Sequence, residues 1–215
     1  MDETEPRLRA ALVETCRAMD RLGLTRGTSG NVSVRLHDGL LVSPTGIPYE
    51  ALAPDQVVRM DMDGTVHGAV QPSSEWRIHR DVLRHRPDFA AVVHTHSTHA
   101  TAMAVLGLAI PAIHYGVAAA GGADIRCAPY ALFGTQALSD GVQYALEGRA
   151  ACLMAHHGVI ACGHTLAGAL DLAVTTEELA RLYLLCRAVT VPPILSPAQM
   201  DAVLERYKTY GQTTV

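Results

Sequence analysis

Two short apolar runs, Ala90 to Val93 and Ala151 to Ala155, each lead directly into histidine: His94-Thr95-His96 after the first and His156-His157-Gly158 after the second. A run of four or five apolar residues is the length of a buried strand and too short for a helix of its own. Buried strands need a sheet with apolar cover, which restricts the chain to layered architectures.

The rest of the sequence supplies the layers. Leu8, Ala11, Leu12, Met19 and Leu22 repeat at helical spacing, and Gly23 is placed to end that helix. Val32, Val34 and Leu36 alternate with polar residues up to a His37-Asp38-Gly39 turn, and Leu40 to Val42 returns as the second strand of a hairpin. Val57 to Met62 and Thr65 to His67 flank Asp63-Gly64 as a second hairpin. Ser73 or Ser74 is placed to cap a helix that carries Trp76, Val82 and Leu83 and ends near His85-Arg86-Pro87. Further helices are predicted from about Thr98 to Leu106, from Thr135 to Leu146, from Leu166 to about Val189 and from Ser196 to Tyr207, with Pro111, Gly121-Gly122 and Pro192-Pro193 as breaks. Hairpins mixed with separated strands and flanking helices predict one α/β domain over residues 1–215, built on a mixed or antiparallel sheet.

Composition narrows the classes of function. With 49% hydrophobic and 18% charged residues, the chain is neither disordered nor fibrous. No apolar run approaches the roughly 20 residues that span a bilayer, and MDETEPRLR lacks the apolar core of a secretory signal. Cys16, Cys127, Cys152, Cys162 and Cys186 are odd in number and form no C-x-x-C pair, which predicts reduced thiols in a cytoplasmic protein. A net charge of −4 leaves no basic footprint for nucleic acid. The 11 histidines are the unusual count, and their placement matters more than their number.

Alternate residues of a strand share a face, so His94 and His96 can aim both imidazoles at one point. The second apolar run brings His156 or His157 to the end of another buried strand. Neighbours on an extended segment diverge, so one of that pair is the ligand, and spacing does not say which. Three imidazoles with an open fourth position are the donor set of a catalytic zinc site. Imidazole also accepts Mn2+ or Co2+, so the expectation is one divalent ion per chain, zinc first. Gly27-Thr28-Ser29-Gly30-Asn31 and Ser43-Pro44-Thr45-Gly46 offer backbone N–H groups and small hydroxyls that can approach an anion, and Ser73-Ser74 sits at a predicted helix start. Beside a metal site they point to a phosphorylated substrate. Glu75, next in sequence, is either a dipole-favoured helix residue or a proton carrier.

These segments resemble class II sugar-phosphate aldolases. The likeness rests on G-T-S-G-N-V-S-V-R at 27–35, S-P-T-G-I-P-Y-E at 43–50, P-S-S-E-W-R at 72–77, V-V-H-T-H at 92–96 and H-H-G at 156–158. It continues through I-P-A-I-H-Y at 110–115, A-A-A-G-G at 118–122, A-P-Y-A-L-F-G-T at 128–135 and K-T-Y-G at 208–211, and is greatest to the L-fuculose-1-phosphate aldolase branch. The resemblance implies a largely antiparallel sheet flanked by helices, a homotetramer with sites at subunit interfaces, and His94, His96 and His157 as zinc ligands. It implies Glu75 as catalytic acid/base, and Thr28, Asn31, Thr45, Gly46, Ser73 and Ser74 around the substrate phosphate. Tyr115 matches a tyrosine donated across the interface, Phe133 a residue on the aldehyde side, and Tyr210 one on the tail.

The implied reaction is a retro-aldol cleavage of a ketose 1-phosphate to dihydroxyacetone phosphate and a small aldehyde. Glu75 would need a raised pKa to protonate carbon near neutrality. No Schiff-base lysine is required, and Lys208 lies outside the predicted strands. Two alternatives share the scaffold: a pentulose-phosphate 4-epimerase and a methylthioribulose-1-phosphate dehydratase. The epimerase pattern places aspartate where this chain has Glu75 and another near Tyr115, which favours the aldolase. A metal-binding scaffold without catalysis would be expected to lack one of the histidines, Glu75 or Tyr115. The end of the chain, Gln212-Thr213-Thr214-Val215, departs from the charged tail of the fuculose-phosphate enzymes, so L-fuculose 1-phosphate and 5-deoxy- or 5-methylthiopentulose 1-phosphates are all admitted as substrates.

Overall fold

The computed structural model describes residues 4–209. In chain order the elements are α1 (Thr4–Arg21), β1 (Asn31–Arg35), β2 (Gly39–Val42), β3 (Val58–Asp61), β4 (Val66–His67), α2 (Trp76–His85), β5 (Ala91–Thr95), α3 (Thr98–Val105), β6 (Arg126–Ala128), α4 (Gln136–Ala145), β7 (Ala151–Met154), β8 (Gly158–Gly163), α5 (Leu166–Val189) and α6 (Pro197–Tyr207). Both predicted hairpins are present, and the strands join in one sheet of order β4-β3-β2-β1-β5-β8-β7-β6. Every pairing is antiparallel except β6 with β7.

Period-2 alternation sends side chains to two separate cores. Ala91, Val93, Leu153, Val159 and Ala161 pack with Leu12, Met19, Met103, Ala173 and Leu179 on the side of α1, α3 and α5. Val92, Cys152, Met154, Ile160 and Cys162 pack with Ile78, Val82, Leu138 and Val142 on the side of α2 and α4. The result is helices on both faces of a mainly antiparallel sheet, as expected for two central strands without a polar face. The helix starts follow their caps: Thr135 accepts from the Leu138 N–H, Thr165 from Gly168, and Ser196 with Gln199 forms a capping box. Among the described residues no helix is long and apolar enough to cross a membrane.

Three local expectations change. Neither Ser73 nor Ser74 caps α2, because Glu75 occupies that position and makes no side-chain cap bond. Ser73 is tied instead to the β2 side, its N–H donating to the Ser43 carbonyl at 3.0 Å. Gly158–Gly163 is a strand that the sequence reading left unassigned, and it lies between β5, which carries His94, and β7, which leads into the His156-His157 turn. Beyond Pro111 the chain is not only loop: a 3-10 turn, Tyr115–Ala120, and the three-residue β6 occupy it.

Candidate active site

Strand register assembles the site. Asn31 pairs with His94 and Ser33 with Val92 across β1 and β5, and directly opposed residues share a face. Val92 belongs to the α2 side, so His94, Asn31 and Ser33 all face α2, whose N-cap residue is Glu75. His96 lies one residue beyond β5, its N–H held by the Leu24 carbonyl at 3.1 Å. His157 closes the turn between β7 and β8, its N–H donating to Met154 at 3.0 Å. The rings of His94, His96 and His157 lie 4.7–5.0 Å apart between centroids, each pair edge to face. Gly158 is what lets β8 start this close: a Cβ there would meet the Thr95 carbonyl oxygen at 2.3 Å and the His96 ring at 3.0 Å.

The donor atoms converge. His94 Nδ1 is 2.8 Å from the Val159 carbonyl, which can only accept, so Nδ1 carries a proton and Nε2 is turned inward. His94 Nε2 lies 3.0 Å from Glu75 Oε2 and 2.9 Å from His96 Nε2. Glu75 Oε1 is buried 3.2 Å from His157 Nε2 and has no hydrogen-bond partner. One ligand atom from each of Glu75, His94, His96 and His157 lies within 4.8 Å of all the others. Lone pairs packed face to face around a carboxylate need a cation between them. The inward nitrogens, the orphaned carboxylate oxygen and the second-sphere carbonyl on His94 together fit a divalent metal.

Charges respond to this crowding. Burial opposes ionisation of Glu75, but His94, His157 and the Asn31 amide outweigh it and hold the carboxyl below the ordinary carboxylate range. The raised value expected from the sequence is thus not met in this arrangement, because imidazoles and an amide donor face both of its oxygens. Burial pushes His94 down while Glu75 and the Val159 carbonyl push it up, with a net rise. Burial first, then His94 and His157, push His96 down to about 3, and burial first, then His94, pushes His157 down to about 4, with Glu75 opposing in both cases.

A cleft of about 390 Å³ opens beside the cluster, within the size range of small-ligand sites. Thr28, Asn31, Thr45, Ser73, Ser74, Glu75, His96, Phe133 and His157 line it. Gly46 is not in the lining but adjoins Thr45, at φ 71°. His94 lies fully buried behind it. Tyr115 is not brought to the cluster within the chain: it is 56% exposed and shares a separate cavity with Val203 and Arg206 of α6. Tyr210 lies outside the described residues. His156, the other member of the candidate pair, also lines the cleft, while sequence reading missed Tyr130, likewise in the lining, and His79, which is fully buried and bonded to Asn31. The spacing of Glu75 and His79, one helical turn apart, was the available signal for the last.

Comparison with known proteins follows the same lines. Residues 10–184 match the family model described as class II aldolase and adducin N-terminal domain. The chain is 52% identical over 204 residues to a 5-methylthioribulose-1-phosphate/5-deoxyribulose-1-phosphate aldolase of Rhodospirillum rubrum, covering 95% of this chain and 92% of the relative. It is equally, 52%, identical over 206 residues to the L-fuculose phosphate aldolase of Escherichia coli K12, covering 95% and 96% of the two chains. A solved L-fuculose 1-phosphate aldolase superposes with a TM-score of 0.91 at 34% identity, covering 94% of this chain and 96% of that one. A match that takes in both histidine-bearing strands, with relatives more than half identical along nearly the whole length, makes this chain a member of the class II aldolase family.

Proposed function

We propose that this chain is a metal-dependent aldehyde-lyase that reversibly cleaves a ketose 1-phosphate to dihydroxyacetone phosphate and a small aldehyde. The observation that carries the reading is the convergence of three imidazoles and Glu75 beside a cleft walled by hydroxyls and amides. The functions of the relatives, which act on fuculose and 5-deoxy- or 5-methylthiopentulose phosphates, support it.

His94, His96 and His157 hold the ion, zinc by the preference of an imidazole set. When bound, it supplies Lewis acidity toward the carbonyl and hydroxyl oxygens at C2 and C3 of the substrate. Thr28, Asn31, Thr45, Gly46, Ser73 and Ser74 receive the phosphate through side chains and backbone N–H groups, apart from the Thr45 and Ser73 N–H groups already bonded to Gln71 and Ser43. As the C3–C4 bond breaks, its electron pair stays with the phosphate-bearing fragment, and the C4 hydroxyl passes its proton to Tyr115 of a neighbouring subunit as that phenol relays its own proton to solvent. Glu75, a carboxylate at rest, takes up a proton from solvent and delivers it to C3 of the fragment that remains. Tyr115 is exposed and remote from the cluster in its own chain, which suits a homotetramer whose sites lie between subunits. Phe133 and, by the family resemblance, Tyr210 meet the aldehyde portion, and Phe133 with Ala131 gives the cleft an apolar surface for a deoxy or methylthio end. The cytoplasm, where thiols stay reduced, is the compartment that suits five free cysteines.

The test is a coupled assay of dihydroxyacetone phosphate release from L-fuculose, 5-deoxyribulose and 5-methylthioribulose 1-phosphates, with and without chelator. Release that stops on chelation and returns with zinc is expected. Full activity after metal removal would overturn the metal assignment. Turnover without dihydroxyacetone phosphate would instead indicate epimerisation or dehydration.

A further inference from the structure

We propose that His79 is a positioning residue for Glu75, acting through the side chain of Asn31. The inference rests on the reading of Glu75 as the group that moves a proton at C3.

His79 is fully buried, does not line the cleft, and sits one helical turn beyond Glu75 on α2. Its Nδ1 is 2.7 Å from Ser33 Oγ, and its Nε2 is hydrogen-bonded to Asn31 Oδ1. Asn31 Nδ2 in turn donates to Glu75 Oε2 at 3.1 Å. Each link has one allowed polarity. An amide oxygen only accepts, so the His79 proton is on Nε2. Burial and the proximity of His94 keep the ring neutral, pushed down to about 3, which leaves Nδ1 bare to accept the Ser33 hydroxyl proton. Asn31 is therefore locked with its oxygen toward His79 and its NH2 toward the carboxylate.

The fold places all four groups by simple periods: Ser33 and Asn31 two apart on β1, Glu75 and His79 four apart from the start of α2. Without His79, the Asn31 amide is held only by its own bond to the carboxylate and is free to swing off it. Glu75 would then be oriented by the imidazoles alone. A merely space-filling histidine in this position would have no reason to end on a cleft-lining amide bonded to the acid.

The experiment uses the metal-loaded full chain with His79→Leu, which keeps bulk but no donor, and His79→Gln, which keeps an N–H. His79→Leu is expected to lower kcat about 10- to 100-fold with KM and bound metal unchanged. Exchange of the C3 hydrogen of dihydroxyacetone phosphate with D2O should fall by the same factor, and His79→Gln should restore most of both. Independently of activity, two-bond 15N–1H correlation spectra of the wild type should show His79 as the Nε2–H tautomer. Wild-type exchange and kcat in His79→Leu, losses that only track lost metal, or an Nδ1–H tautomer would each overturn the proposal. A wild type that releases no dihydroxyacetone phosphate would overturn the aldolase reading instead, and the tautomer would still decide what His79 does to Asn31.

Discussion

His94 and Glu75 face each other at 3.0 Å, Nε2 to Oε2, while the second nitrogen of His94 is committed to the Val159 carbonyl at 2.8 Å. The ring therefore cannot turn away from the carboxylate, and Glu75 stands next to the three nitrogens without being needed to complete them. Glu75→Gln keeps the shape and the contact with Asn31 but loses the proton-carrying oxygen. We expect one metal per chain to be retained and dihydroxyacetone phosphate release to fall about 100-fold or more. Elemental analysis and the coupled assay measure the two quantities on one sample. Normal turnover would remove Glu75 from the chemistry.

Adjacent histidines make a second test. His156, at φ 57°, takes the positive-φ position of the β7–β8 turn, and its ring packs against Tyr130 with centroids 6.0 Å apart. His157, one residue on, faces His94 and His96. His157→Ala should abolish stoichiometric zinc binding, whereas His156→Ala should keep the zinc. Titration of the metal-free proteins with a chromophoric zinc indicator separates the outcomes. Zinc loss from the His156 variant instead would reverse the assignment.

That pair also marks what was legible in the sequence. The His94–His96 pair could be read because alternate residues on a strand share a face, and the two buried strands were plain from their apolar runs. The choice between His156 and His157 could not be read from spacing and came from the family resemblance alone, since it depends on a turn whose second arm, β8, begins at a glycine and passed unassigned. β6 is three residues long and gains its place by parallel pairing with β7, a non-local event that local pattern does not encode. The helices α3 and α5 were clear from their lengths and boundaries. Ser73 and Ser74 looked like helix caps because the residue types suit a cap, yet the strand-side tie from Ser73 to Ser43 decides their conformation. His79 stayed hidden because a lone histidine on an amphipathic helix reads the same whether it fills space or holds a partner.

Tyr115 supplies a prediction that tests assembly and chemistry together. The residue is 56% exposed beside α6 rather than in the cleft that holds Glu75. Tyr115→Phe should slow cleavage more than it weakens inhibition by dihydroxyacetone phosphate, because only the hydroxyl is lost. If sites are shared between subunits, mixing Tyr115→Phe with Glu75→Gln chains under exchange conditions should restore activity that neither parent has. Mixed oligomers, verified by mass spectrometry, that stay inactive would mean that Tyr115 does not act across a subunit boundary.

A last prediction concerns how the His96 segment is anchored. Ser97 is the N-cap of α3 but makes no side-chain cap bond, and Glu177 from α5 fills that role across the core. Its carboxylate accepts from the His99 N–H at 3.0 Å and the Ala100 N–H at 2.8 Å, and lies 2.7 Å from His99 Nδ1. Burial opposes its ionisation, yet the His99 and Ala100 amides outweigh burial and lower its pKa from the ordinary 4.5. A carboxylate depressed by folding binds fewer protons in the native state, so its contribution is complete above the unfolded value and is lost as pH falls through the folded one. Glu177→Gln keeps an acceptor but loses the charge at the helix N-terminus, and should cost about 1–2 kcal/mol at pH 7. Urea unfolding of both proteins should show that gap unchanged between pH 7 and pH 6. It should then shrink below about pH 4.5 as the wild-type carboxylate loses its advantage. A gap that stays constant down to the acid limit would mean that Glu177 holds α3 by shape and not by charge.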